Sequence, residues 1–159
     1  MASLELSVSE QFAPELGAEV EQELEPEFTH EPASSLERWT AVVSEALEPC
    51  VVLDSLAVIL AISPAACTLF GFESQEWAAG RNLMAGIVRL IDFGDGAPLS
   101  DPDREKVPSI LACSSGQLAH GLIRLVFNDE IRTIDAVATP LFDGRKPVGS
   151  LTFFSLVRR

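Results

Sequence analysis

The sequence lacks most of the features that would assign it to a class at once. No apolar run approaches the roughly 18–20 residues that a membrane span needs. The N-terminus has no basic residue and no apolar segment ahead of its acidic stretch, so no secretory signal is read there and a cytoplasmic location is expected. Cysteine is scarce and odd in number: Cys50, Cys67 and Cys113 are widely spaced, and two of them sit inside apolar patterns. That suits buried free thiols rather than a disulfide framework, with a redox role for Cys113 as the alternative. Positive charge is missing altogether from residues 1–34, which hold nine Glu and no Lys or Arg.

That last absence locates the charge. The net charge is −13, yet residues 35–159 carry 15 acids against 11 bases, so the acidity belongs mostly to the N-terminal stretch. A Glu-rich segment broken by Pro14, Pro26 and Pro32 has too little apolar surface to offset its ordering entropy. Residues 1–33 are therefore expected to be a disordered acidic tail, and residues 34–159 the folded domain. The tail reads as a solubilising segment. Leu16, Val20, Leu24 and Phe28, at four-residue spacing, also allow a docking arm for a basic partner surface. An acidic tail on a mildly acidic domain repels phosphates, so no nucleic-acid partner is expected, and no membrane.

Catalytic patterns are missing too. No serine, cysteine or carboxylate is paired by sequence with a base, and the chain is expected not to be an enzyme. Asp92-Phe93-Gly94 matches a kinase triplet without the loops that give it meaning. Asp92, Asp95, Asp101 and Asp103 depart from calcium-loop spacing, and Pro98 and Pro102 stiffen the segment, so a solvated loop without a metal is expected.

What the sequence does contain is concentrated at its end. Gly121–Phe127, Ile131–Leu141 and Val148–Val157 are apolar runs separated by Asn128-Asp129-Glu130 and by Asp143 to Pro147, which predicts an antiparallel three-strand meander. Ile134, Ala136 and Ala138 share one face of the middle run, while Thr133, Asp135 and Thr139 share the other. The inner face thus tapers to small side chains, and either helix side chains or a ligand must fill the space above it. On the outer face the alternation is expected to place Leu122, Val126, Val137, Phe154 and Leu156.

Upstream, Ser34 and Glu37 form a capping-box pattern ahead of Leu36, Trp39, Val43 and Ala46, predicting an amphipathic helix that ends before Pro49. Cys50–Asp54 and Val58–Ile62 read as a hairpin of buried strands. Ser63-Pro64 starts a short helix that Gly71 stops. Ser74 caps another, with Trp77 toward the core. Asn82–Ile91 shows Leu83, Ile87 and Leu90 at helical spacing, and Glu105–Ser114 places Val107, Ile110 and Leu111 on one helical face.

This order of elements resembles a PAS domain, the sensor module widespread in bacterial signalling proteins. The resemblance rests on Val51–Asp54, Ser63-Pro64-Ala65-Ala66 with Leu69-Phe70-Gly71-Phe72, Gly80-Arg81-Asn82-Leu83, Ala138-Thr139-Pro140-Leu141, Asp143-Gly144 and Val148-Gly149. It covers about residues 36–157, and Ser63 stands where the family commonly has Asn. It implies an α+β PAS fold: a five-stranded antiparallel sheet with short helices on its inner face and an N-terminal amphipathic helix. Flavin-adduct chemistry is disfavoured, because Leu83 and Met84 follow Asn82 where light sensors carry the reactive Cys. A chromophore of the photoactive-yellow type needs a Tyr, and the chain has none. Haem is disfavoured because His120 falls at a strand entrance.

The expected function is a signal-transduction sensor and interaction module. A small apolar ligand would sit among Phe70, Trp77, Leu83, Ile87, Ile110, Ile123, Leu125, Ile134, Ala136 and Ala138, its identity unknown. A homodimer is expected through Leu36, Trp39, Val43 and Leu47. No helical linker follows Arg159, so the output is expected to pass to a regulatory partner protein in trans. The alternative is a ligand-free dimerisation or adaptor domain.

Overall fold

The computed structural model describes residues 33–158; the acidic stretch, Ala33 apart, lies outside them. The fold is built on one antiparallel sheet of six strands, β1 (Cys50–Asp54), β2 (Ile59–Ile62), β3 (Arg89–Ile91), β4 (Ala119–Phe127), β5 (Glu130–Asp143) and β6 (Lys146–Leu156), in the order β2-β1-β6-β5-β4-β3. The meander β4–β6 forms as its turn residues dictate. Asn128 and Asp129 take φ of 49° and 63°, the left-handed pair that a tight hairpin requires, and Gly144 takes 62° in the second turn.

The expected count of five strands is corrected to six by β3. Residues 82–91 do not form a helix. The Asn82 carboxamide accepts the Met84 amide and closes a turn, Gly86 at φ 87° prevents continuation, and Arg89–Ile91 then pair with Val126–Arg124. Leu90 sits at helical spacing from Leu83 and Ile87 by coincidence; its pairing is with Leu125 across the ladder.

Among the described residues five helices complete the fold: α1 (Ser35–Ser44), α2 (Pro64–Phe70), α3 (Gln75–Ala78), α4 (Asp101–Arg104) and α5 (Pro108–Ser115). The caps follow the sequence. Ser34 and Glu37 form the capping box, Ser63 Oγ accepts the Ala66 amide, Gly71 closes α2 at φ 78°, and Ser74 caps α3. The helix expected over 105–114 is α5 and starts only at Pro108, which has no amide to donate and stands at the first helical position, while α4 forms within the stretch expected to be a loop. Leu111 consequently faces solvent, and Ser109 and Ala112 make the buried side.

The sheet divides the core in two. Val51, Leu53, Ile59, Ile123, Leu125, Ile134, Ala136 and Phe154 face α2, α3 and α5 on the inner side. On the outer side Val43 of α1 is buried on Cys50, Val52, Leu141 and Leu151, with Leu36 and Ala46 beside it. Gly149 permits this approach, since a side chain there would collide with the Leu53 carbonyl and the Leu36 methyl. Phe154 and Leu156, expected on the outer face, belong to the inner one: Ala136 pairs with Phe154 and Ile134 with Leu156, and directly paired residues share a face. Phe153 takes the outer position instead.

Candidate functional site

The inner chamber is where small side chains line the sheet and helices must fill the gap. They fill it closely. Phe70 meets Phe154 edge-on at 4.9 Å and stacks on Phe72 at 5.6 Å. Further along the sheet, Ala138 and Ala119 receive Ala112 of α5, and the space beside Gly121 is taken by Pro108, 3.4 Å from where a Cβ would sit. The taper toward Ala138 is thus answered by the close approach of α5. What remains is a void of about 10 Å³, which Phe70, Leu83 and Ile123 line together with Met84, Ser109 and Phe154.

The other expected chamber residues are spread around this void. Leu125, Ile134 and Ala136 are buried in the surrounding core, and Ile87 packs at its margin. Trp77 lies at the rim, tilted against Phe72 at 5.4 Å with the Arg81 guanidinium 4.2 Å above its ring. Ile110 lines a separate cleft. Sequence periodicity missed Met84, Ser109 and Phe154. Phe154 was legible only through its register, and Ser109 only through the helix start at Pro108.

The polar groups of the inner side cluster under α5. Ser109 Oγ and Thr152 Oγ1 are 2.8 Å apart, and both residues are buried. The buried Ser150 hydroxyl, two residues along β6, has no hydrogen-bond partner among the described residues. Beside them an open cleft of about 430 Å³ lies between the β1–β2 turn, Asn82 and Met84, and the flank of α4 and α5. Met84 and Ser109 line both the cleft and the inner void.

Thiols and acids act structurally. Burial pushes the Cys50, Cys67 and Cys113 thiols above their ordinary range, so all three are protonated at neutral pH. Desolvation would raise Asp92, but the Gly94, Asp95 and Gly96 amides converge on its Oδ1 at 3.0 Å and hold its pKa low. Asp103 is held low by Ser100 and Lys106. These carboxylates close turns, and among the described residues no group of acids, His or Cys gathers as a metal site.

No protein-family model matches the sequence, and no curated protein matches it. Solved structures do. A PAS domain from Colwellia psychrerythraea is 22% identical, with 77% of this chain and 96% of that one covered at a TM-score of 0.54. The Rhodobacter sphaeroides LOV protein is 17% identical over 79% of this chain and 68% of its own, at 0.57. The Vibrio cholerae VqmA dimer is 16% identical over 77% and 51%, at 0.55.

The chain has the PAS fold.

In this PAS fold His120 stands on the outer face, 2.6 Å from Asp135 Oδ1, with the sheet between it and the chamber. The outer face is half covered. α1 shields the rows around Leu141, Leu151 and Val52, while Val137 and Phe153, directly paired, are left 39% and 45% exposed with Leu122 at 51% nearby. Trp39, Val42 and Leu47 project from α1 and the segment after it, Leu47 being 93% exposed. Val43, expected at a dimer interface, is already buried within its own chain. No helix among the described residues is long and apolar enough to cross a membrane.

Proposed function

We propose that this PAS domain is a non-catalytic signalling module that works by association. Two copies meet over the part of the outer sheet face that α1 leaves open, and the pair passes its state to a regulatory partner protein in trans. The observation that carries this reading is the Val137–Phe153 pair with Leu122, an apolar strip on the part of the outer face that α1 leaves open. Trp39 and Leu47 add exposed apolar side chains on α1 and the segment after it. The VqmA structure, which shares this fold over about half of its length, is of a dimer, which supports self-association here.

Sedimentation of the full chain tests it. Phe153→Glu places a charge at the centre of the strip without touching the inner core, and it is expected to weaken self-association by roughly 30- to 1,000-fold, the loss of a central apolar anchor of about 2–4 kcal/mol. A wild-type chain that sediments as a monomer at high concentration refutes the proposal.

A ligand in the inner chamber is the second reading. It requires the helices to move off the sheet, because the void of about 10 Å³ has room for about one water-sized sphere and for no larger molecule. Met84, in the wall between void and cleft, favours this reading, since its flexible side chain is the easiest to displace.

A further inference from the structure

The open cleft beside α5 has no part in the association surface, and its construction is specific. One wall is the β1–β2 turn, where Ala57 takes φ 64°, a strained value for a residue with a Cβ. The turn is held by Asp54 Oδ1, which accepts the Leu56 and Val58 amides at 2.8 and 3.0 Å, and by Asn82, whose carboxamide donates to the Leu56 carbonyl at 2.9 Å. Held this way, Leu56 is presented to the cleft 72% exposed. Met84, Ile110, Cys113 and Pro147 supply the remaining apolar surface.

The polar side of the cleft narrows the ligand. Its charges are one cation, Arg104, and two carboxylates, Asp54 and Glu105, with Asp54 already engaged by the turn, so the lining offers no strong field for an anion. The deep polar group is Ser109. Two hydroxyls carry two protons, and the single Ser109–Thr152 hydrogen bond uses one, so a donor is left over in a buried pair. The unpartnered Ser150 hydroxyl lies in the same region. Thr152 meets Ser109 near the start of α5 and Pro147 meets Gly116 at its end, which places Ser150 on the strand between, under the helix turn that carries Cys113.

We propose that this cleft is a binding site for a small uncharged amphipathic molecule, an apolar chain or ring carrying one hydroxyl or carbonyl. The apolar body lies on Leu56, Met84, Ile110 and Pro147, and the oxygen accepts from the Ser109–Thr152 pair. About 430 Å³ is within the range of small-molecule sites.

Met84 is the one methionine among the described residues and Cys113 the most accessible thiol there, so each reports on the cleft. The full chain, labelled at the methionine methyls, is titrated with octanol, octanoate and octylamine while alkylation of Cys113 is followed by mass spectrometry. The expected result is a saturable shift of the Met84 methyl with octanol and slower alkylation of Cys113, with both charged analogues weaker by roughly tenfold or more. Cys113→Trp fills the cleft and is expected to abolish the shift while leaving the fold intact by circular dichroism. Should that variant misfold, Leu56→Glu, at an exposed position, is expected to weaken octanol roughly tenfold. The proposal is overturned if no saturable shift occurs, if octanoate or octylamine matches octanol, or if the filled or charged cleft binds octanol unchanged. Its failure leaves the association reading standing, because the outer-face strip shares no residue with the cleft.

Discussion

Enlarging Ala136 to Phe is the sharpest probe of whether the inner face is truly filled. Ala136 is fully buried and pairs with Gly121 on one side and Phe154 on the other. The nearest ring contact is Phe154 against Phe70 at 4.9 Å, and Phe72 stacks behind Phe70. The inner void is about 10 Å³, far less than a phenyl ring, and Ala136 does not line it. The new ring must therefore push Phe154 or Phe70 from its rotamer or lift the helices. Overpacking of this kind typically costs about 1–3 kcal/mol, and at roughly 3–5 °C per kcal/mol for a domain of this size the Tm of Ala136→Phe is expected to fall by roughly 3–15 °C. A scanning calorimeter or a circular dichroism melt measures it. Adding Phe154→Ala to the same chain removes a ring across the register pair and is expected to recover part of the loss, a coupling that independent sites do not show. An unchanged or raised Tm for Ala136→Phe alone would refute the packed-chamber reasoning and return the inner face to a ligand.

Two further outcomes follow from buried hydroxyls. Ser109→Ala leaves the Thr152 hydroxyl orphaned in the core and is expected to cost about 1–3 kcal/mol, whereas the double variant Ser109→Ala/Thr152→Val, in which both partners become apolar, is expected to be less destabilised than the sum of the singles in a urea-melt cycle. Ser63→Ala removes an oxygen that accepts both the Ala66 amide at the start of α2 and the Cys50 amide of β1, and a loss of about 1–3 kcal/mol by the same melts is expected; a smaller effect than an ordinary exposed cap would refute the double role.

The three-strand meander, the β1–β2 hairpin and the starts of α1, α2 and α3 were legible in the sequence because each is set by local chemistry: alternation, left-handed turn residues and capping hydroxyls. β3 was not. Three residues are too short to display a period, and Leu83, Ile87 and Leu90 imitate a helix whose continuity Gly86 breaks. The facing of β6 failed for a related reason. Phe153 and Phe154 are adjacent, both apolar, and the pattern of β6 alone does not say which points inward; the pairing of Ala136 with Phe154 decides it. At the site, the sequence identified the small lining of the middle strand but left its filler open between helix and ligand. The answer depends on Ala112 and Pro108 meeting Ala138 and Gly121, contacts between segments far apart in the chain.

The two sides of the sheet are joined through few elements, and this restricts how a state of one side is felt on the other. β6 carries Phe154 in the chamber, Thr152 against Ser109 of α5, and Phe153 in the exposed outer strip, so a displacement of α5 that moves Thr152 also moves the strip. A second route passes around the β2 edge, where the Gln75 carboxamide donates to the Ser44 carbonyl at the end of α1 at 2.8 Å and to Ile62 at 2.7 Å, joining the helix beside Trp77 to the helix on the outer face. The first route crosses a packed core, which shifts as a unit rather than deforming smoothly. The second depends on one half-buried side chain and is correspondingly weak. Any coupling between cleft and outer strip would therefore run along β6, by way of the Ser109–Thr152 contact.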